Sequence, residues 1–224
     1  MWLTERVFYI LEIVGTIAFA VSGAMIAIER RLDLFGVVFL GVITAVGGGM
    51  IRDILIGSFP PVMFINMEYV LTACAVSIAV FLVAYFASHT YFKKASFIDT
   101  VNNVFDAVGL GAFSVTGTRI GISAGYSDNM FLCVFLGMLT GIGGGLLRDM
   151  MSRSIPFVLR KRIYALAAIA GACLYYLLFR IKAADTIAIF SAVGLTCIIR
   201  ILATAFEWNL PVAAPEKEIV RTKK

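Results

Sequence analysis

One stretch occurs twice in this chain. Gly47-Gly48-Gly49-Met50-Ile51-Arg52-Asp53 returns 96 residues later as Gly143-Gly144-Gly145-Leu146-Leu147-Arg148-Asp149. The same offset relates Gly41 to Gly137, Thr44 to Thr140 and Pro60 to Pro156. Each copy closes a long apolar run with three glycines and then a charge pair. In water such a triplet reads as a helix stop, since each glycine costs a helix roughly 1 kcal/mol against alanine. In a bilayer the constraint is tighter. Lipid cannot satisfy loosened backbone, so a break survives only against protein or beside a wet cavity.

The bilayer follows from composition. The chain is 61% hydrophobic and 15% charged, whereas a soluble domain is about 25% charged. A membrane-spanning helix needs about 20 mostly apolar residues, and seven runs qualify. They are Val7 to Ile28, Leu34 to Ile51, Val70 to Ser88, Val101 to Thr118, Asn129 to Leu147, Ile163 to Phe179 and Thr186 to Phe206. The first carries Glu12 and has no basic segment before it, so it reads as a span and not as a leader. The expected fold class is an all-α integral membrane protein.

The duplication extends beyond the glycines. At an offset of 94, Glu12 matches Asp106, Gly15 matches Gly109, Phe19 matches Phe113, Ser22 matches Thr116 and Gly23 matches Gly117. Tyr69 and Ala73 match Tyr164 and Ala168 at 95. Spans one to three therefore correspond to spans four to six. Three is odd, so the second unit crosses the membrane in the opposite sense, as an inverted repeat. The expected division is 1–92 for the first unit, 93–182 for the second, 183–210 for a seventh helix and 211–224 for a polar tail. The connections that share a face with the C-terminus hold twelve Lys and Arg, against four on the other face. This bias places the N-terminus outside and the C-terminus in the cytoplasm, and it accounts for the net charge of +5 without a nucleic-acid partner.

Three readings of the triplets compete. The helix kinks or unwinds and turns carbonyl oxygens toward an ion; the two repeated helices cross at close range; or the glycines merely pack. Arg52-Asp53 and Arg148-Asp149 follow at membrane depth, where ionised groups face a cavity or one another. Adjacent helical residues point about 100° apart, so each is expected to bond neighbouring backbone or the other repeat. Glu12, Gly15, Phe19 and Gly23 form a narrow polar stripe at helical spacing, and Asp106, Gly109, Phe113 and Gly117 form another. With the hydroxyls of Ser22 and Thr116, these would suit a cation path. Arg200, the one charge in the last span, is expected to snorkel or to pair with Glu207. Cys74, Cys133, Cys173 and Cys197 stand singly in apolar runs and read as packing thiols, and His89 as an interfacial side chain. No hydrolytic, redox, metal-ligating or phosphate-binding set is visible, so an enzyme is not expected.

Two three-helix repeats bearing Gly-Gly-Gly-x-x-Arg-Asp, plus a seventh helix, resemble the prokaryotic trimeric intracellular cation (TRIC) channels, which overlap a bacterial family of putative glycine transporters. The resemblance spans roughly residues 5 to 206. It implies a homotrimer in the cell (inner) membrane, with one hourglass-shaped potassium path per subunit. The path would be bounded by spans two and five, kinked at Gly47, Gly48, Gly49 and at Gly143, Gly144, Gly145. Met50 and Ile51 follow the first triplet, so the inositol-lipid site of animal relatives is not carried over. On this reading Glu12 and Asp106 supply negative potential, and Ser22, Thr44, Thr116 and Thr140 supply hydroxyl ligands to permeant K+ or Na+. Arg52 and Arg148 restrict the path until Asp53 and Asp149 shield them. No cofactor is expected, and membrane lipid is the other partner. A carrier for a small zwitterion such as glycine fits the same repeat plan, an arginine and an acid holding a carboxylate and an amine.

Overall fold

The computed structural model describes residues 2–86, 95–160 and 163–208. His89, Lys93, Lys94, the expected boundary at 92/93 and the tail from 211 lie outside the described residues. Seven long helices stand among those described: α1 (Trp2–Glu29), α2 (Leu34–Leu55), α4 (Met67–Phe86), α5 (Ala95–Gly121), α6 (Met130–Met151), α8 (Ile163–Arg180) and α9 (Asp185–Ala205). Two single-turn helices, α3 (Val62–Ile65) and α7 (Phe157–Arg160), follow α2 and α6. No strand occurs among the described residues. Six of the long helices have the length and apolarity to cross a membrane. The exception is α5, which is 27 residues long but carries Asn102, Asn103, Asp106 and Arg119.

Local chemistry sets the helix ends. Asp33 and Asn129 accept hydrogen bonds from the Gly36 and Leu132 amides at 2.8 and 3.0 Å, capping α2 and α6. Both helices end alike, in left-handed residues at equivalent positions, Gly57 (φ 73°) and Arg153 (φ 55°). The Ser58 and Ser154 amides then donate back to the Asp53 and Asp149 carbonyls, each at 2.9 Å, which is the Schellman arrangement.

Through the triplets the helices do not break. α2 runs without interruption from Leu34 to Leu55 and α6 from Met130 to Met151. The expected unwinding is thus corrected in favour of the close-crossing reading. A Cβ on Gly48 would collide with the Thr140 carbonyl oxygen, and one on Gly144 with the Thr44 carbonyl oxygen. A Cβ on Gly143 would lie 3.0 Å from the Gly48 Cα. The glycines let two backbones touch, and the surrounding helices keep the ladder intact. The contacts are reciprocal elsewhere too. Phe19 fills the notch at Gly109, the Phe113 ring lies against Gly15, and the two rings stand 5.3 Å apart.

Around this crossing α1 packs on α2, α4 and α5, and α5 packs on α6, α8 and α9. Core clusters of small and aromatic residues fill the seams, such as Phe19, Ala20, Ala45 and Ala73 beside Leu110, Ile142, Tyr164 and Ala168. Large apolar side chains, including Phe35, Leu71, Phe131, Phe190 and Ile198, point outward. An outer surface of this kind is solvated by lipid tails and not by water. α9 rests mainly on α5 and α8 and meets α1 around Phe8, so the last helix serves chiefly one half of the molecule.

Candidate functional site

The third glycine of each triplet lies beside the arginine of the charge pair after it. The Arg52 and Arg148 Nη2 atoms lie 3.6 Å from where a Cβ on Gly49 or Gly145 would stand. Each guanidinium folds back along its own helix and reaches the next residue. Arg52 donates from Nε and Nη2 to Asp53 Oδ1 at 2.9 and 2.7 Å. Arg148 Nε donates to Asp149 Oδ1 at 2.9 Å. Neighbouring Arg and Asp are therefore partners after all. The 100° argument considered Cβ directions and neglected the reach of the long side chain. The second aspartate oxygen holds the connection beyond the helix: Val62 N donates to Asp53 Oδ2 at 2.9 Å, and Phe157 N to Asp149 Oδ2 at 2.7 Å. Each Asp thus ties helix, arginine and re-entering loop together.

Beyond this shared core the two copies differ. Arg148 is fully buried, and its Nη1 also donates to Asp106 Oδ1 at 2.7 Å and to the Ser22 hydroxyl. Its ring neighbour is Phe157, at 5.2 Å. Asp106 and Ser22 are themselves wholly buried. Around Arg148 the molecule is sealed. Arg52 makes neither equivalent contact. Glu12, the counterpart of Asp106, instead accepts a hydrogen bond from the Tyr69 hydroxyl at 2.6 Å. A partly open cavity of about 60 Å³ fills the space between, lined by Glu12, Thr16, Gly49, Arg52, Asp53, Tyr69, Phe113, Thr116 and Thr140 among others. At about 15 Å³ per water it has room for a few. Tyr69→Phe frees the Glu12 carboxylate beside this cavity. The variant should lose about 1.5–3 kcal/mol, as expected for a hydrogen bond to a charged group, measured as a fall in the detergent melting temperature.

The expected site residues thus divide into three places. Glu12, Gly49, Arg52, Asp53, Thr116 and Thr140 meet at the cavity. Gly47, Gly48, Gly143, Gly144 and Thr44 lie at the crossing, where Thr44 and Thr140 donate their hydroxyl protons to Leu40 O and Leu136 O, both at 2.6 Å. Ser22, Asp106, Gly145, Arg148 and Asp149 belong to the sealed cluster. Arg200 does not snorkel. It is 2% exposed, with its guanidinium 4.7 Å over the Tyr164 ring and Nη2 4.0 Å from Asp106 Oδ2. Tyr69, Tyr164 and Arg200 were not singled out for the site. Their signals were present: the tyrosines match at an offset of 95, and Arg200 is a lone charge in an apolar run, which marks a functional position in membrane helices.

Known proteins match this architecture closely. The family model described as glycine transporter matches residues 9–85 and 103–180. The inner membrane protein YadS of Escherichia coli, of the UPF0126 group, is 35% identical over 205 residues, 90% of this chain and 93% of that protein. A solved TRIC cation channel, described in terms of its conductance, is 36% identical, with TM-score 0.80 over 94% of this chain and 98% of that one. The trimeric intracellular cation channel orthologue from Rhodobacter sphaeroides is 30% identical, with TM-score 0.81 over 90% and 99%. These solved relatives are channels and not enzymes.

Proposed function

Because this chain belongs to the TRIC cation channel family, which the glycine-transporter description also covers, we propose that it is a passive channel for monovalent cations, permeable to potassium, with one path in each subunit of a homotrimer. The seven long helices cross the membrane as two inverted three-helix repeats, 1–92 and 93–182, followed by α9 in 183–210 and a cytoplasmic tail, 211–224. The odd unit length and the reciprocal contacts between α1 and α5 and between α2 and α6 support that plan. Loop charge supports an outer N-terminus and a cytoplasmic C-terminus. The name of the Escherichia coli relative supports the inner membrane.

The path enters at the cavity beside Glu12 and Arg52 and passes the hydroxyls of Thr116 and Thr140. It stops where Arg148 is clamped by Asp106, Asp149 and Ser22. Glu12 draws cations to the mouth. Asp53 neutralises Arg52 there, so the entry is not closed by positive charge. Arg148 blocks the far end by bulk and charge, and leaving Asp106 would open it. K+ or Na+ is the permeant species. The observation that carries this reading is a partly open polar recess beside Glu12 and Arg52 and a fully buried ion-paired cluster around Arg148.

Purified protein in planar bilayers with KCl, then NaCl, should give unitary cation currents of picoampere size. One observation favours a second reading. A molecule open on one side and sealed on the other is also the resting form of an alternating-access carrier for a zwitterion such as glycine. Saturable glycine counterflow from vesicles without unitary currents would select the carrier and reject the channel.

A further inference from the structure

The sealed cluster contains polar atoms that nothing satisfies. Asp106 Oδ2, Arg200 Nε and Nη2, Arg148 Nη2 and the Tyr164 hydroxyl are buried without a hydrogen-bond partner. Buried orphans of this density are rare and call for an explanation. Here they face one another: Arg200 Nη2 stops 4.0 Å from Asp106 Oδ2, too far for a hydrogen bond. The Tyr164 ring lies beneath the Arg200 guanidinium and holds it in place.

The other half of the molecule shows what such atoms are for. There the acid has no arginine: Arg52 bonds Asp53 and makes no contact with Glu12 like that of Arg148 with Asp106. A tyrosine, Tyr69, satisfies Glu12 instead, and that half is open. In the sealed half the acid holds its arginine, and the matching tyrosine, Tyr164, stands beside Asp106 without a well-formed hydrogen bond to it. A neutral hydroxyl suffices for Glu12, which borders a partly open cavity. Asp106 is fully buried, and a buried carboxylate needs a counter-charge. Only this half has Arg200, delivered by the helix that stands outside the repeat.

We propose that Arg200, with Tyr164 beside it, is the alternate partner of Asp106. When Arg148 leaves Asp106 to open the sealed half, Arg200 closes its 4.0 Å gap and takes the carboxylate, so the acid is never buried alone. Arg200 is a positioning residue: it acts on the path through Asp106. The partner exchange rests on the reading of the sealed half as a gate, and its test separates the two.

In bilayers, Arg200→Gln should lower open probability about tenfold, a coupling of ordinary size, while unitary conductance stays unchanged. Arg200→Lys, which keeps the charge, should restore most of the openings; a merely structural arginine would show no such rescue. A second readout needs no current. In a background with the four cysteines replaced by alanine, the rate at which a charged thiol reagent modifies Ser22→Cys should fall about tenfold when Arg200→Gln is added. Arg200→Met carries the same expectation should the glutamine protein not elute as one species. Slower modification in a protein that passes no current would reject the channel and keep the exchange. Unchanged or more frequent opening in a conducting protein, or unchanged modification, would overturn the exchange and make Arg200 a lock or a bystander.

Discussion

Gly144→Ala lowers the melting temperature in detergent by roughly 10 °C, and Gly48→Ala does much the same. The added methyl group is driven into a carbonyl oxygen of the facing helix, Thr44 in one case and Thr140 in the other. The obstacle is backbone, which no rotamer change relieves. Overpacking of this kind costs about 3 kcal/mol, and for a chain of this size each kcal/mol is worth roughly 2–4 °C. The sign matters, because alanine in an ordinary helix gains about 1 kcal/mol over glycine. Gly194 supplies the control, since nothing lies within 4 Å of a Cβ built there. Gly194→Ala should leave the melt unchanged or raise it. Two melts that differ in direction establish that the triplets are a contact between helices; equal melts would remove the crossing from the account.

The second large effect separates the two arginines. Arg148→Gln leaves Asp106 and Asp149 buried beside an uncharged amide, and breaking a buried pair in this way costs about 3–5 kcal/mol. Arg200 recovers part of that by moving onto Asp106. Arg52→Gln strands Asp53 next to a cavity that admits water, and the Val62 amide still bonds its second oxygen. A loss of about 1–2 kcal/mol is expected there, close to that of an ordinary hydrogen bond. Arg148→Gln also removes the plug, so unitary events should lengthen. Arg148→Met combined with Asp106→Leu should melt higher than Arg148→Gln alone, since apolar side chains of similar volume replace buried ion pairs at little cost. Melts of the four proteins, with bilayer recordings of the two single variants, decide the matter. Equal losses at Arg52 and Arg148 would mean that the two halves are not unlike.

Much of this was legible beforehand. The long apolar runs correspond to the long helices, and the run boundaries differ from helix ends by a few residues, because polar side chains such as Asp99 and Arg119 continue a helix past its apolar stretch. The pairing of Glu12 with Asp106 and of Tyr69 with Tyr164 was visible as spacing. What the glycines do was not. Three consecutive glycines weaken an isolated helix, and propensity arithmetic expects a break. The opposing helix reverses the outcome, because close backbone contact keeps the ladder uninterrupted. The Arg–Asp contact was hidden in a different way. Its cause is the length of the arginine side chain, which folds back to reach the next residue, and helical-wheel geometry does not include that.

By itself the amino-acid order determined the membrane as solvent, the number and rough extent of the long helices, and the fact that two triads of them are copies. Those properties depend on local hydropathy and on comparing the chain with itself. Only the tertiary structure decided which copy is open. Glu12 and Asp106 are both acids at matching positions, and their neighbours in sequence are nearly alike. Each has a tyrosine nearby, but one borders a cavity, and the other meets Arg148, Ser22 and, from α9, the waiting Arg200. That difference comes from a helix with no counterpart in the repeat, packed mainly against one half, and no local pattern carries it.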